Sequence, residues 1–342
     1  MTEADLHSSD LPRPITELHL HLEGALEPET IFELALRNQL TLAYRDLAHL
    51  RAGYEFANLE SFLDLYYSNM AVLRTSADFE TLTWRYAQRA HQAGVQHAEV
   101  FVDPQAHTAR GISTSTLLRG VWAGLRRAES EFGMTSGIIA CILRDRPVHE
   151  ARRTLDECLS VGVPLLGIGL DSAELGYPPS LFQEVFAAAA DANLRRVAHA
   201  GEEGPPEYVW QALDVLGVER IDHGVRCLED KALVRRLVNE QIPLTVCPLS
   251  NVRLRVINEL SDHPLRRMLD QGLLVTVNSD DPAYFGGYAD DNLRECRRAL
   301  GLSTAEMKTL AQNSIVASFA PADRKAALTN QLTATSGSAD PV

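Results

Sequence analysis

Short β-rich runs recur along the chain and alternate with segments whose apolar residues fall at helical spacing. The runs cover residues 15–22, 97–103, 136–143, 165–171, 196–200, 220–224, 243–247 and 273–280. Between the first two, Phe79, Leu82, Tyr86 and Ala90 share one helical face, and Gly94 stands where a helix would end on a left-handed residue. Pro205 and Pro206 mark a helix start before Trp210 and Leu213. Eight strands, most followed by a helix, predict an α/β protein whose parallel sheet closes into a (β/α)8 TIM barrel. An open doubly wound sheet is the rival. It would ordinarily carry a Gly-rich phosphate loop after its first strand, and none is found there.

One connection departs from this plan. Roughly seventy residues separate the first and second runs, far more than a usual loop. We read this helical insertion, about 25–95, as a lid over the mouth of the barrel. Its Phe56, Phe62, Tyr66 and Tyr67 would line the mouth, or equally pack a small core of the insertion's own. The remaining boundaries are a polar tail over 1–14, a single domain over 15–330 and a mobile tail over 331–342.

Composition narrows the function. The chain has 342 residues, 45% of them hydrophobic, enough to bury a large core without staples. Its formal net charge of −14 repels phosphate backbones, which argues against nucleic acid as a partner. Five scattered cysteines without a CxxC pair point away from a disulfide framework and toward a reducing compartment. The N-terminus lacks the basic start and apolar stretch of a signal peptide, and no window reaches the apolar length of a membrane span. A cytoplasmic protein is expected, with no membrane partner.

The chemistry lies at the strand ends. The first strand reads Leu18-His19-Leu20-His21-Leu22, so His19 and His21 face one way and the leucines the other. Two imidazoles facing into a barrel each need a polar partner or a metal, and zinc accepts neutral imidazole readily. The fifth strand runs into His199-Ala200-Gly201-Glu202, the sixth into Asp222-His223-Gly224 and the eighth into Ser279-Asp280-Asp281-Pro282. All would stand on the rim where barrel active sites form. One such histidine could be a satisfied core residue, but four histidines with aspartates on one rim favour a metal site. The HExxH and PCxxC zinc signatures are both absent.

The blocks at 16–25 (TELHLHLEGA), 199–202 (HAGE), 221–224 (IDHG) and 279–282 (SDDP) resemble those of the adenosine/adenine deaminase family, in that family's order and across nearly the whole chain. The runs 279–288 and 247–251 most resemble its adenine deaminase branch. The resemblance implies a distorted TIM barrel that removes the 6-amino group of a purine with one zinc per chain; iron or another divalent metal stays open. It implies that His19, His21, His199 and Asp280 bind the metal and that His223 acts as base beside the attacking water. Glu202 would donate a proton to N1, and Asp281 would bond N7. A homodimer is compatible with such relatives.

Two departures from the adenosine branch bear on substrate. Glu23 stands where that branch typically has Asp, and Glu174 stands near its purine-contacting Gly. Glu174 could accept the N9–H that only a free base carries, and so favour adenine; alternatively it caps a loop and touches no ligand. Adenosine, aminodeoxyfutalosine or an N6-substituted adenine are the alternative substrates on the same scaffold. From other classes come a barrel metallo-phosphoesterase, for which no second ligand set is visible, and a non-catalytic zinc protein, which would need neither Glu202 nor His223.

Overall fold

The computed structural model describes residues 11–336; of the two expected tails, 1–10 and 337–342 lie outside the described residues. Eight strands form in the predicted order: β1 (Ile15–His21), β2 (Val95–Val102), β3 (Thr135–Leu143), β4 (Gly167–Asp171), β5 (Arg195–Ala200), β6 (Arg220–His223), β7 (Leu244–Val246) and β8 (Val275–Val277). Every neighbouring pair is parallel, and the order in the sheet is the order in the chain. The ring closes where Leu20 bridges Asp280: His21 N–H donates to Asp280 O, and Asp280 N–H to His19 O, each at 3.0 Å. This is a (β/α)8 barrel.

β8 is shorter than the hydrophobic run that predicts it. It stops at Val277 because side chains take over the pairing: Asn278 Oδ1 accepts the Leu18 N–H at 3.1 Å. Asp280 then turns into the left-handed region at φ 62°. The alternation in β1 holds, with Leu20 and Leu22 buried among the surrounding helices. Phe79, Leu82, Tyr86 and Ala90 form the buried face of the helix Ser76–Ala93, which ends on left-handed Gly94. Inside the barrel, Phe101, Ile139, Cys141 and Val197 pack below the site. A buried ion pair is also enclosed, Arg220 Nη1 donating to Glu99 Oε2 at 2.5 Å and Nη2 to Leu18 O at 3.1 Å. Such a pair is tolerated only because both partners are hydrogen-bonded.

The long connection between β1 and β2 holds the helices Pro28–Arg37, Leu47–Ala52, Leu59–Asn69 and Ser76–Ala93. Asn58 starts the third of these through a capping box with Ser61, which satisfies backbone donors that a helix start leaves open. The four aromatics divide their work. Phe56 packs against Phe62 and Phe285, whereas Phe62, Tyr66 and Tyr67 line the cavity at the barrel mouth. At the other end, the sequence places the domain boundary near 330, but the helix Ala322–Ser336 continues past it. Leu332 is buried there with Leu328 against Ala311 and Ile315, which holds the helix on the domain. Among the described residues no helix is long and apolar enough to cross a membrane.

Candidate active site

His19 and His21 point into the barrel from β1, His199 joins them from β5, and Asp280 comes from the turn beyond β8. One ligand atom from each lies within 4.8 Å of the others. His19 Nε2 stands 3.2 Å from Asp280 Oδ1, His21 Nε2 stands 3.5 Å from the same oxygen, and the Nε2 atoms of His21 and His199 are 3.1 Å apart. In a tetrahedral site with metal–nitrogen bonds of about 2.0–2.1 Å, neighbouring ligand atoms stand about 3.4 Å apart. Three imidazole nitrogens and one carboxylate oxygen match a zinc-type donor set.

The groups behind the ligands support the same reading. His19 Nδ1 donates to Thr245 Oγ1 at 2.9 Å, and that hydroxyl donates to Asp222 Oδ1 at 2.8 Å. This relay fixes the tautomer of His19 and leaves its buried Nε2 unprotonated and without a hydrogen bond. Asp222 Oδ2 also lies 3.5 Å from His199 Nδ1, and Asp171 Oδ2 lies 3.5 Å from His21 Nδ1. Burial opposes ionisation of Asp222. The bond to His199, the neighbouring imidazoles of His19 and His199 and the charge of Arg220 outweigh it and hold the carboxyl below its usual range. Sequence reasoning gave no role to Asp222, Asp171 or Thr245. The strand register carried a signal for Asp222, which pairs with His199 across β5 and β6.

The expected acid, base and N7 partner meet at the same rim. Glu202 follows Gly201, whose φ of 75° turns the chain sharply after β5. Its carboxyl is 4% exposed, Oε1 has no partner, and Oε2 lies 3.6 Å from His223 Nε2. Burial, and then the charges of Asp280 and Glu174, push Glu202 well above the usual carboxylate range, so it stays protonated. Burial keeps the His223 imidazole neutral, and His223 Nε2 is 3.8 Å from Asp280 Oδ2. His223 and Asp280 both sit at φ 62°, a strained geometry for side-chain-bearing residues that is concentrated at functional sites. The eighth strand has already ended at this turn, so the consecutive carboxylates of Asp280 and Asp281 both line the cavity. Burial, then Asp280, pushes Asp281 up into its protonated form. Gly24 makes room for it, since a Cβ there would lie 2.0 Å from Asp281 Oδ1.

Glu174 requires a correction. It does not line the cavity. Its carboxylate accepts the backbone N–H groups of Gly201 (2.6 Å), Glu202 (3.1 Å), Glu203 (2.8 Å) and Gly204 (2.8 Å). Both of its oxygens are engaged by these backbone donors, and it caps the turn that carries Glu202.

The cavity itself is bounded by His21, His199, His223, the carboxyls of Asp103, Asp171, Glu202, Asp280 and Asp281, and an apolar wall including Leu59, Phe62 and Phe285. No lysine or arginine is among its lining residues. A strongly acidic, partly protonated cavity of this kind disfavours phosphate and suits a neutral heterocycle.

Known proteins share both the sequence and the shape. A family model described as adenosine deaminase matches residues 14–335. An adenine deaminase of Streptomyces coelicolor is 57% identical over 315 residues, covering 92% of this chain and 93% of the relative. The crystal structure of an adenine deaminase from Arthrobacter aurescens superposes with a TM-score of 0.94 at 56% identity, covering 95% of this chain and 99% of that one. A zinc-bound amidohydrolase from Burkholderia ambifaria superposes with a TM-score of 0.87 at 28% identity, covering 99% of this chain and 95% of that one. The ligand cluster, the buried acid beside it and these matches agree: this chain belongs to the adenosine deaminase family.

Proposed function

We propose that the protein hydrolyses adenine to hypoxanthine and ammonia at one divalent metal ion, zinc in the first instance. The observation that carries the reading is Glu202, a buried acid with an unpartnered oxygen beside His223, which itself stands 3.8 Å from Asp280 of the ligand cluster. A zinc ion held by His19, His21, His199 and Asp280 would acidify a water molecule, making a nucleophile available near neutral pH.

The chain's own residues do the rest. Protonated Glu202 gives its proton to N1 as the C6–O bond forms, which draws charge off the ring. Neutral His223 takes one proton of the attacking water and passes it to the 6-amino group. The C6–N bond breaks, ammonia leaves with that proton, and the second water proton restores Glu202. Protonated Asp281 donates to N7 and orients the ring. The neutral, acid-lined cavity supports a free base over a nucleotide, and the 50–57% identical relatives named adenine deaminase support adenine over other purines.

The test is to purify the protein with its metal and screen purines for ammonia release. Adenine is expected to turn over best; Glu202→Gln is expected to keep the metal and lose turnover, whereas His19→Ala loses both. Full activity in the Gln variant would remove Glu202 from the mechanism. A preference for adenosine would remove adenine as the substrate.

A further inference from the structure

With C6 at the ligand cluster, N1 at Glu202 and N7 at Asp281, the N9 edge of adenine is left to the rest of the lining, whose polar members include Asp103, Asp171, Tyr67 and Ser172. N7 and N9 flank C8 in one five-membered ring. The group that reads N9 must therefore stand next to the group that reads N7, and Asp103 is close enough to Asp281 for their charges to interact.

Asp103 follows β2 directly, and Pro104 starts the helix Pro104–Thr108 after it. Its backbone is held from behind: Asp103 N–H donates to Glu23 Oε1 at 3.1 Å, an oxygen that also accepts from His107 Nε2 at 2.8 Å. The residue is 2% exposed, one of its carboxyl oxygens lies within 4.8 Å of one from Asp171, and Oδ1 has no hydrogen-bond partner. Asp171 is engaged with the Nδ1 of His21 at 3.5 Å. That leaves Oδ1 of Asp103 as a buried acceptor on the cavity wall.

We propose that Asp103 is the residue that selects a free base, its Oδ1 accepting N9–H of the purine. The assignment rests on the adenine reading and deepens it. A substituent at N9 removes the only donor on that edge and brings its own atoms against Asp103, so nucleosides lose twice. The role expected of Glu174 from the sequence thus passes to a strand end on the opposite side of β3. Asn keeps a carbonyl acceptor at the same position and can still accept N9–H, whereas Ala cannot. That equivalence gives the assignment a sharp signature.

The experiment compares adenine, 9-methyladenine and adenosine on the metal-loaded wild type, Asp103→Asn and Asp103→Ala, with metal content measured for each. In the wild type, kcat/KM for 9-methyladenine should fall at least about 10³-fold below that for adenine, because a site built around a buried hydrogen bond rejects an analogue lacking it. Asp103→Asn should keep most of that ratio, and Asp103→Ala should narrow it at least tenfold, chiefly by losing adenine. Calorimetry on the wild type gives a readout free of turnover and of variant folding: hypoxanthine should bind at least tenfold more tightly than 9-methylhypoxanthine. Equal binding of the two products, or an unchanged ratio in Asp103→Ala, overturns the assignment while leaving adenine as substrate. Failure of the wild type to release ammonia from adenine sinks both. Two metal ions per chain, falling to one in Asp103→Ala, would instead make His21, Asp103 and Asp171 a second cation site and overturn it as well.

Discussion

Replacing Glu174 by Gln tests how Glu202, the proposed acid, is held. The carboxylate accepts four backbone N–H groups, three at Oε2 and that of Gly201 at Oε1. A Gln oxygen placed at the Oε2 position keeps three of them, now as neutral bonds, each weaker by about 1 kcal/mol. The fourth donor, Gly201 N–H, then faces an NH2 group and is left unsatisfied. The buried guanidinium of Arg144 also loses the charge that compensates it. Because the turn can relax, we expect a net loss of about 3 kcal/mol rather than the full sum. For a domain of this length that is a fall in Tm of about 4 °C.

The catalytic consequence is separate from the thermal one. The turn carries Glu202, and small displacements of a positioned group cost up to about 100-fold in rate, so kcat should drop by about that factor. Metal content should stay the same, since His199 lies in β5 proper. Differential scanning calorimetry, metal analysis and ammonia release measured on one preparation check all three. A Gln variant that melts within about 1 °C of wild type and turns over normally would refute the capping role. One that melts normally but gains activity on adenosine would return Glu174 to the substrate edge.

Asp222→Asn should weaken metal binding about 10–100-fold while the four ligands remain, because the relay from His19 through Thr245 and the contact to His199 lose their charged end; competition against a chelator measures it. His263 should make the protein acid-sensitive. Burial lowers its pKa from 6.5 to about 4, with Nε2 on Asn251 Oδ1 and Nδ1 accepting the Leu265 N–H. A depressed pKa contributes stability that is present above the unfolded value and lost as pH falls from 6.5 toward 4, here about 3 kcal/mol. Urea unfolding of wild type and His263→Gln at both pH values should show that difference, and parallel pH curves would rule it out. Gly24→Ala forces a Cβ to within 2.6 Å of the Asp281 Cα, so backbone must move; adenine KM should rise and stability fall by about 2 kcal/mol. An unchanged KM would separate Gly24 from the purine site.

The barrel was legible because each strand is a short apolar run bounded by turn residues, and because His19 and His21 sit on one side of a strict alternation. The cluster of His19, His21, His199 and Asp280 was legible for a related reason: each member lies in or just beyond a predicted strand on the same rim. Asp103 also ends its predicted strand, but it has no neighbouring motif, and its meaning emerges only when Asp171 from the fourth strand is seen against it. Glu174 was misread because its partners are backbone amides of another strand's turn, which have no side-chain identity to read. The short β8 was hidden as well. Its apolar pattern runs on, and only the Asn278 side chain reveals where backbone pairing gives way.

The seam between β8 and β1 has a consequence for how the protein is made. His19 and His21 leave the ribosome with the opening strand, whereas Asp280 arrives only after the last one, and their backbones are stitched together at that junction. A nascent chain therefore carries two of the four members until His199 is made, and lacks the fourth through most of its synthesis. High-affinity capture of the ion should begin only once the ring has shut, so metal retention reports on complete assembly rather than on any fragment of it.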